Sequence, residues 1–130
     1  TTQITNQIFE MVSAVAEKKQ KKALDLYYDL LALKEPPMRI LYLLSRQFRL
    51  LMEVKELAGN GYAKKEIASI TGLHPYVTGK YMEQAKAFHR TELRKILEES
   101  VDIEERVKTG LLGDVMGVEL FIVKYSSDRL

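Results

Sequence analysis

The chain has 130 residues, of which 46% are apolar and 29% are charged. This balance excludes an intrinsically disordered chain, and the length suits one domain with a single core. The net charge of +2 indicates no particular class of partner, and the absence of cysteine excludes disulfides and thiolate metal sites. A chain without cysteine fits the reducing cytosol, so we expect a cytoplasmic location.

The sequence shows neither a membrane span nor a targeting segment. The densest apolar run, residues 40–44, is far shorter than the ~20 apolar residues that cross a bilayer. The N-terminus lacks the basic start and the apolar stretch of a signal peptide. It also lacks an initiator Met, so we expect residues 1–130 to be one helical domain, either a C-terminal fragment cut from a longer protein or a processed chain.

Apolar residues recur at helical spacing, and strand-like alternation does not persist beyond a few residues. Prolines and glycines fall mostly between the helical stretches, where helices begin and end. The sequence therefore predicts an all-α fold, a compact bundle of seven helices. These helices are predicted over residues 5–17, 20–33, 37–58, 63–71, 75–88, 91–108 and from 113–114 onward.

Each of the longer helices is predicted to bury one face. Residues 40–44 are apolar on nearly every side, so this part of the third helix should lie at the centre of the bundle. Thr91 is a candidate side-chain cap for the sixth helix. The residues predicted to face inward are Ile8, Val12, Val15, Ala16, Leu24, Tyr27, Leu30, Leu31, Phe48, Leu51, Leu93, Ile96, Leu97, Ile103, Val107, Val115, Val118, Phe121 and Ile122.

Side chains that could carry catalysis are scarce. His74 and His89 would lie about 22 Å apart on one helix, so they cannot share a metal ion. Residues 59–65 lack the spacing of a phosphate-binding loop, and no strand precedes them. The acidic residues between 98 and 105 lie on a predicted helix, where a solvated face with an Asp102–Arg106 pair is expected. We expect no catalytic residue, no metal and no cofactor.

One alternative is a helix-turn-helix DNA-binding domain of a transcription regulator. The short helix before Gly72 and the helix that begins at Pro75 have a spacing typical of that motif. The sixth position after Gly72, usually a branched apolar residue, is Thr78. For reading bases the second helix offers only Tyr76, Thr78 and Lys80. Whether Tyr76 is exposed or packed into the bundle is an observation that bears on this alternative.

Three motifs follow one another along the chain. In residues 38–49 an apolar run leads into Arg-Gln-Phe-Arg, residues 67–88 are centred on His-Pro-Tyr-Val, and residues 93–110 end in Lys-Thr-Gly. Their order and spacing resemble the C-terminal collar domain of the bacterial DNA polymerase III delta subunit, a part of the clamp loader. The similarity extends over about residues 8–125. The family-motif residues are His74, Pro75, Tyr76, Asp102, Lys108, Thr109 and Gly110.

The resemblance implies a role in assembly and no catalysis by this domain. In this family the delta subunit helps to open the sliding clamp, while other loader subunits hydrolyse ATP. The collar would pack beside the collars of the gamma/tau and delta-prime subunits and so hold together the pentamer that loads the clamp on DNA during replication. Contact with the clamp would need N-terminal modules that are absent here. DNA would be reached indirectly through the complex, and no membrane partner is implied.

The seventh helix carries more apolar side chains than one buried stripe requires. The surplus suits an interface with another subunit, and it suits equally a helix whose two sides both pack within the domain. Pro75 and Gly110 are expected to start and stop helices. The candidate interface residues on the seventh helix are Val118, Leu120, Phe121 and Val123.

Overall fold

The computed structural model describes residues 2–128. Within them all regular structure is α-helical, which confirms the predicted all-α bundle. The predicted domain limits, residues 1 and 130, lie outside the described residues. The helices are α1 (Thr2–Ala16), α2 (Gln20–Ala32), α3 (Pro37–Gly59), α4 (Lys64–Thr71), α5 (Pro75–Lys86), α6 (Arg90–Lys108) and α7 (Asp114–Ser126).

Prolines and glycines determine most of the helix ends, as the sequence predicts. Pro37 and Pro75 stand in the first turn of α3 and α5, where the missing amide hydrogen costs no helical hydrogen bond. Gly72 ends α4 with φ 79°, a left-handed conformation that favours glycine. The end of α5 comes two residues before the predicted one, because the amide of Phe88 bonds to the carbonyl three residues earlier, at 3.2 Å.

The predicted capping role of Thr91 is wrong. The sixth helix begins one residue earlier than expected, and His89 occupies the capping position without a side-chain hydrogen bond. The carbonyl of His89 accepts the first helical bond from the amide of Leu93 at 3.0 Å. Thr91 therefore lies inside the first turn, where its side chain cannot act as the cap.

The long helix α3 lies at the centre of the bundle and packs against α1, α4, α5, α6 and α7. Phe48 stands near its middle, and its ring meets those of Phe88 and Phe121 nearly edge-on, at centroid distances of 5.6 and 6.4 Å. Residues 40–44 lie on this central helix, as expected, but Tyr42 among them faces solvent. No helix in the described part of the chain covers that side of α3 near its N-terminal end.

Most of the residues expected to face inward do so. The exception is Val115, the second residue of α7, whose side chain is exposed although its carbonyl accepts a hydrogen bond from Tyr27. Five others are only partly buried against the core: Ala16, Leu24, Leu31, Leu97 and Val107. The expected residues that are buried are Ile8, Val12, Val15, Tyr27, Leu30, Phe48, Leu51, Leu93, Ile96, Ile103, Val118, Phe121 and Ile122.

Candidate interaction surface

The inner face of α7 belongs to the core. This helix packs against α1, α2, α3 and α6. Val118 is fully buried and Phe121 is 3% exposed, so neither offers surface to a partner. These two of the four candidate interface residues are therefore corrected: at a spacing of three, both lie on the side of α7 that turns toward the bundle.

The outer face of α7 keeps an apolar stripe that nothing in the described chain covers. Met116 is 59% exposed and Leu120 is 50% exposed, while Val123 is partly buried. Spacings of four and three residues align these three side chains along one side of the helix. We call Met116, Leu120 and Val123 the outer α7 stripe. Sequence reasoning missed Met116, although its position four residues before Leu120 could have indicated it.

Side chains from α2 and from the connection between α1 and α2 bond to the backbone of α7. The Tyr27 hydroxyl donates to the carbonyl of Val115 at 2.7 Å. The Gln20 side-chain amide donates to the carbonyl of Val123 at 3.1 Å. Near the end of the helix, the Lys18 ammonium donates to the carbonyl of Tyr125 at 3.1 Å. These bonds anchor α7 along its length, so the outer stripe is displayed on a rigid element.

Charged and phenolic groups lie on α7 and on the helices packed against it. The Lys124 ammonium forms a 2.7 Å ion pair with Glu99, and this hydrogen bond raises the pKa of Lys124. Desolvation and the neighbouring Glu119 carboxylate raise the pKa of Tyr28. An apolar centre with a polar, solvated rim is the usual arrangement of protein–protein interfaces.

The α4–α5 pair has the shape of a helix-turn-helix, but its side chains are not arranged for reading bases. Tyr76 is 71% exposed, as a DNA-contacting residue would be. Thr78 is fully buried, and its hydroxyl donates to the carbonyl of His74 at 2.9 Å. The Lys80 ammonium lies over the ring of Phe9, 5.1 Å from its centroid. Thr78 is therefore unavailable to DNA, while Tyr76 and Lys80 are both exposed and the Lys80 ammonium contacts Phe9.

The His-Pro-Tyr motif organises the start of α5. His74 stands at the capping position, and its Nδ1 accepts a hydrogen bond from the amide of Tyr76 at 3.1 Å. Pro75 is the first residue of the helix. The motif therefore has a local structural role in the chain as described.

The Lys-Thr-Gly motif terminates α6. The Thr109 hydroxyl donates to the carbonyl of Glu105 at 3.0 Å, and Gly110 adopts φ 80°. Asp102 and Arg106 approach to 3.9 Å on the exposed face, as the sequence predicts, and Lys108 lies 3.4 Å from Glu104. All these contacts lie within α6 and its end, so this motif also has a local structural role.

Within residues 2–128, no group of three or more His, Cys, Asp or Glu side chains is placed to hold a metal ion. None of the helices in the same range combines the length and apolarity that a membrane span requires. The fold and the exposed stripe define a class of protein: all-α interaction domains, in which a buried core supports an outer helix with exposed apolar side chains.

Comparisons with known proteins identify the family within that class. The profile of the family described as "DNA polymerase III delta subunit, C-terminal domain" matches residues 5–125. The chain is 37% identical over 117 residues to the DNA polymerase III subunit delta of Bacillus subtilis (strain 168), covering 90% of this chain and 34% of that protein. The solved structure of the Bacillus subtilis DNA clamp loader delta protein (YqeN) matches with a TM-score of 0.89 and 35% identity, over 95% of this chain and 36% of that chain.

The chain belongs to this family, the C-terminal domain of the DNA polymerase III delta subunit, and it spans about a third of the length of the relatives it matches. This confirms the resemblance drawn from the three motifs. The alternative of a transcription regulator with a helix-turn-helix is not supported by these comparisons.

Proposed function

We propose that this chain is the subunit-assembly domain of a clamp-loader delta subunit. In this role it holds the loader together, so that the sliding clamp is loaded on DNA during replication. The observation that carries the proposal is the match of the family profile to residues 5–125. The chain also has the same fold as the matched part of a clamp loader delta protein. We expect the domain to act in the bacterial cytoplasm.

The partners proposed for this domain are the collars of the gamma/tau and delta-prime subunits, with the outer α7 stripe at one of the contacts. A stable interface removes ~800 Å² of surface from each partner, so the stripe would form the centre of a larger contact. Leu120 and Val123 remain candidate interface residues, and Met116 joins them. Their rigid support from α2 favours tight packing, because little side-chain and backbone freedom is lost on binding.

The proposed role involves no catalysis by this domain. The side chains buried among the described residues are mostly apolar, as a packing domain requires. Contact with the sliding clamp is assigned to N-terminal modules outside this chain, and contact with DNA is assigned to the assembled loader.

The proposal is tested by mixing this chain with purified gamma/tau and delta-prime subunits and measuring association by analytical size exclusion. We expect co-elution. We expect Leu120→Glu to weaken it by about tenfold or more, since a charge would be buried at an apolar contact. The matched control is Leu111→Glu, which adds the same charge at an exposed leucine in the loop after α6. No association of the unaltered chain would refute the assembly role, whereas full association of Leu120→Glu would refute only the place of the contact.

A further inference from the structure

A groove runs between the C-terminal halves of α3 and α5 and reaches the start of α6. Its volume is about 500 Å³, which lies within the ~300–1,000 Å³ range of ligand-binding clefts. No residue of α7 lines it. We call it the α3–α5 groove, and its lining residues used below are Met52, Lys55, Gly59, Met82, Lys86 and Arg90.

The floor of the α3–α5 groove is apolar and adaptable. Val54 and Ala85 are buried lining residues, and the partly exposed side chains of Met52 on α3 and Met82 on α5 also line the groove. Methionine has a flexible, polarisable side chain that adjusts to apolar groups of different shapes. The groove therefore offers a binding surface for a bulky aliphatic or aromatic side chain.

The rim of the groove is cationic. Lys55, Lys86 and Arg90 line it, and the acidic lining residue is Glu56. Arg90 pairs with Glu56 at 2.9 Å. Lys86 pairs with Glu83, on its own helix, at 3.0 Å. Exposed pairs of this kind contribute only ~0–1 kcal/mol, so these cations stay available to an incoming anion.

Lys55 is the most distinctive cation of the rim. Its side chain is partly buried against the apolar wall, and its ammonium donates a long 3.4 Å hydrogen bond to the carbonyl of Ala85. Within residues 2–128 no carboxylate lies within ion-pair distance of it. A lysine without a carboxylate partner in that range, in a groove that two methionines also line, provides the two features that an acidic, apolar ligand would use.

We propose that the α3–α5 groove binds a short peptide segment of a partner protein in which a bulky apolar side chain stands next to carboxylates. The apolar side chain lies on Met52 and Met82, and the carboxylates reach Lys55 and Arg90. The groove is open at Gly59, where an added Cβ would have no atom within 4 Å, so an extended peptide can pass beyond this end.

The lining favours a peptide over nucleic acid. A single strand binds through cationic side chains combined with aromatic side chains on which the bases stack. Among the described residues, no aromatic one lines the groove. The methionine floor would add nothing to the binding of a sugar–phosphate backbone, whereas it would bury the side chain of a peptide.

The groove is independent of the outer α7 stripe, since the two surfaces share no residue. A peptide can occupy the groove while α7 packs against another subunit. Loss of peptide binding and loss of subunit association are therefore separate results, and each of the two proposals can fail without the other.

The test begins with selection from a phage-displayed library of random 12-residue peptides on this chain. Gly59→Phe adds a ring at a lining residue of the groove, where an added Cβ would meet no atom within 4 Å. Gly59→Ala is its matched control, since it alters the same position and leaves the groove open. We expect enriched peptides to combine carboxylates with a bulky apolar residue, and to bind Gly59→Phe about tenfold more weakly than Gly59→Ala.

The contribution of the Lys55 charge is tested by substitution, and the place where the peptide binds is tested by methyl NMR. Lys55→Gln should weaken binding several-fold and Lys55→Arg should retain it, while Lys65→Gln, on the exposed face of α4, should have no effect. Of the five methionines, the methyl signals of Met52 and Met82 should shift on titration with an enriched peptide. Those of Met38 and Met116, outside the groove, should not.

Three results would each overturn the proposal. The first is a selection that enriches no acidic, apolar sequence. The second is an enriched peptide that binds Gly59→Phe as well as Gly59→Ala. The third is a shift at Met116 in place of Met52 and Met82. Full displacement of an enriched peptide by an oligo-dT strand would assign the groove to nucleic acid and would also overturn the proposal.

Discussion

Gln47 of α3 and Gln84 of α5 bond to each other inside the bundle, with Gln47 Nε2 donating to Gln84 Oε1 at 2.8 Å. Gln84 Nε2 continues the network to α1, where it donates to the Ser13 hydroxyl at 2.7 Å and to the Phe9 carbonyl at 3.0 Å. Both glutamines are at most 7% exposed. Because a buried amide without partners costs free energy, this network favours one relative position of the three helices.

Replacement of Gln84 by leucine should destabilise the domain. The change leaves the Gln47 amide, the Ser13 hydroxyl and the Phe9 carbonyl without their partner, so we expect a loss of about 1–3 kcal/mol in the free energy of unfolding. Urea denaturation followed by circular dichroism measures it. The Gln47→Leu/Gln84→Leu double variant should lose less than the sum of the single losses. Strict additivity would contradict a shared network.

Two glycines should respond in opposite ways to alanine. Gly59 is helical and has open space around a new Cβ, so Gly59→Ala should stabilise the domain by about 0.5–1 kcal/mol. Gly72 stands at φ 79°, where a Cβ is strained, so Gly72→Ala should destabilise it by about 1 kcal/mol. Thermal unfolding of the two variants compares them directly, and a shift of the same sign in both would contradict the explanation.

Gly117 lies where α7 packs tightly against α6 and against the loop between them. A Cβ at this position would lie 3.1 Å from Leu112 Cδ2, 3.2 Å from Ile103 Cγ2 and 3.3 Å from Val107 Cγ2. Three side chains would have to move together, so Gly117→Val should cost about 1–3 kcal/mol through overpacking. The matched control is Gly59→Val, which makes the same change where there is room. Equal melting temperatures for these two variants would show that packing at Gly117 is loose.

Stability should fall at alkaline pH through Tyr27. Burial, together with the nearby Glu119 and Asp114 carboxylates, raises the pKa of Tyr27 well above its usual value. A raised pKa in the folded state contributes stability below the unfolded value of ~10 and loses it as the pH rises further, because the unfolded chain then releases the proton more readily. Urea unfolding at pH 8 and pH 11 should show this loss.

Tyr27→Phe provides the comparison. This variant should be less stable at pH 8, by about 1 kcal/mol, because the carbonyl of Val115 loses its hydroxyl partner. Its stability should also fall less between pH 8 and pH 11 than that of the unaltered chain. An identical alkaline loss in both proteins would place the titrating group elsewhere.

The sequence predicted helices and their ends well, because these depend on short-range backbone chemistry. Pro37 and Pro75 begin helices since proline fits the first turn, and Gly72 ends one since it accepts a positive φ. The three motifs also predicted the family. The capping role expected of Thr91 was wrong because the first helical hydrogen bond is accepted by the carbonyl of His89, so the helix begins one residue earlier. The pattern of side chains does not reveal this backbone bond.

By itself, the sequence determined that residues 2–128 form seven helices and which family the chain resembles. Only the tertiary structure decided which side of α7 is buried, because Val118 and Leu120 are equally apolar and the neighbouring helices select between them. It likewise placed Gln47 and Gln84 in the core, although glutamine is mostly exposed in proteins, and there the two side chains bond to each other. The physical reason is the separation in sequence of the residues involved. Helix ends depend on a few adjacent residues, whereas burial depends on contacts with side chains of helices that are distant in the sequence.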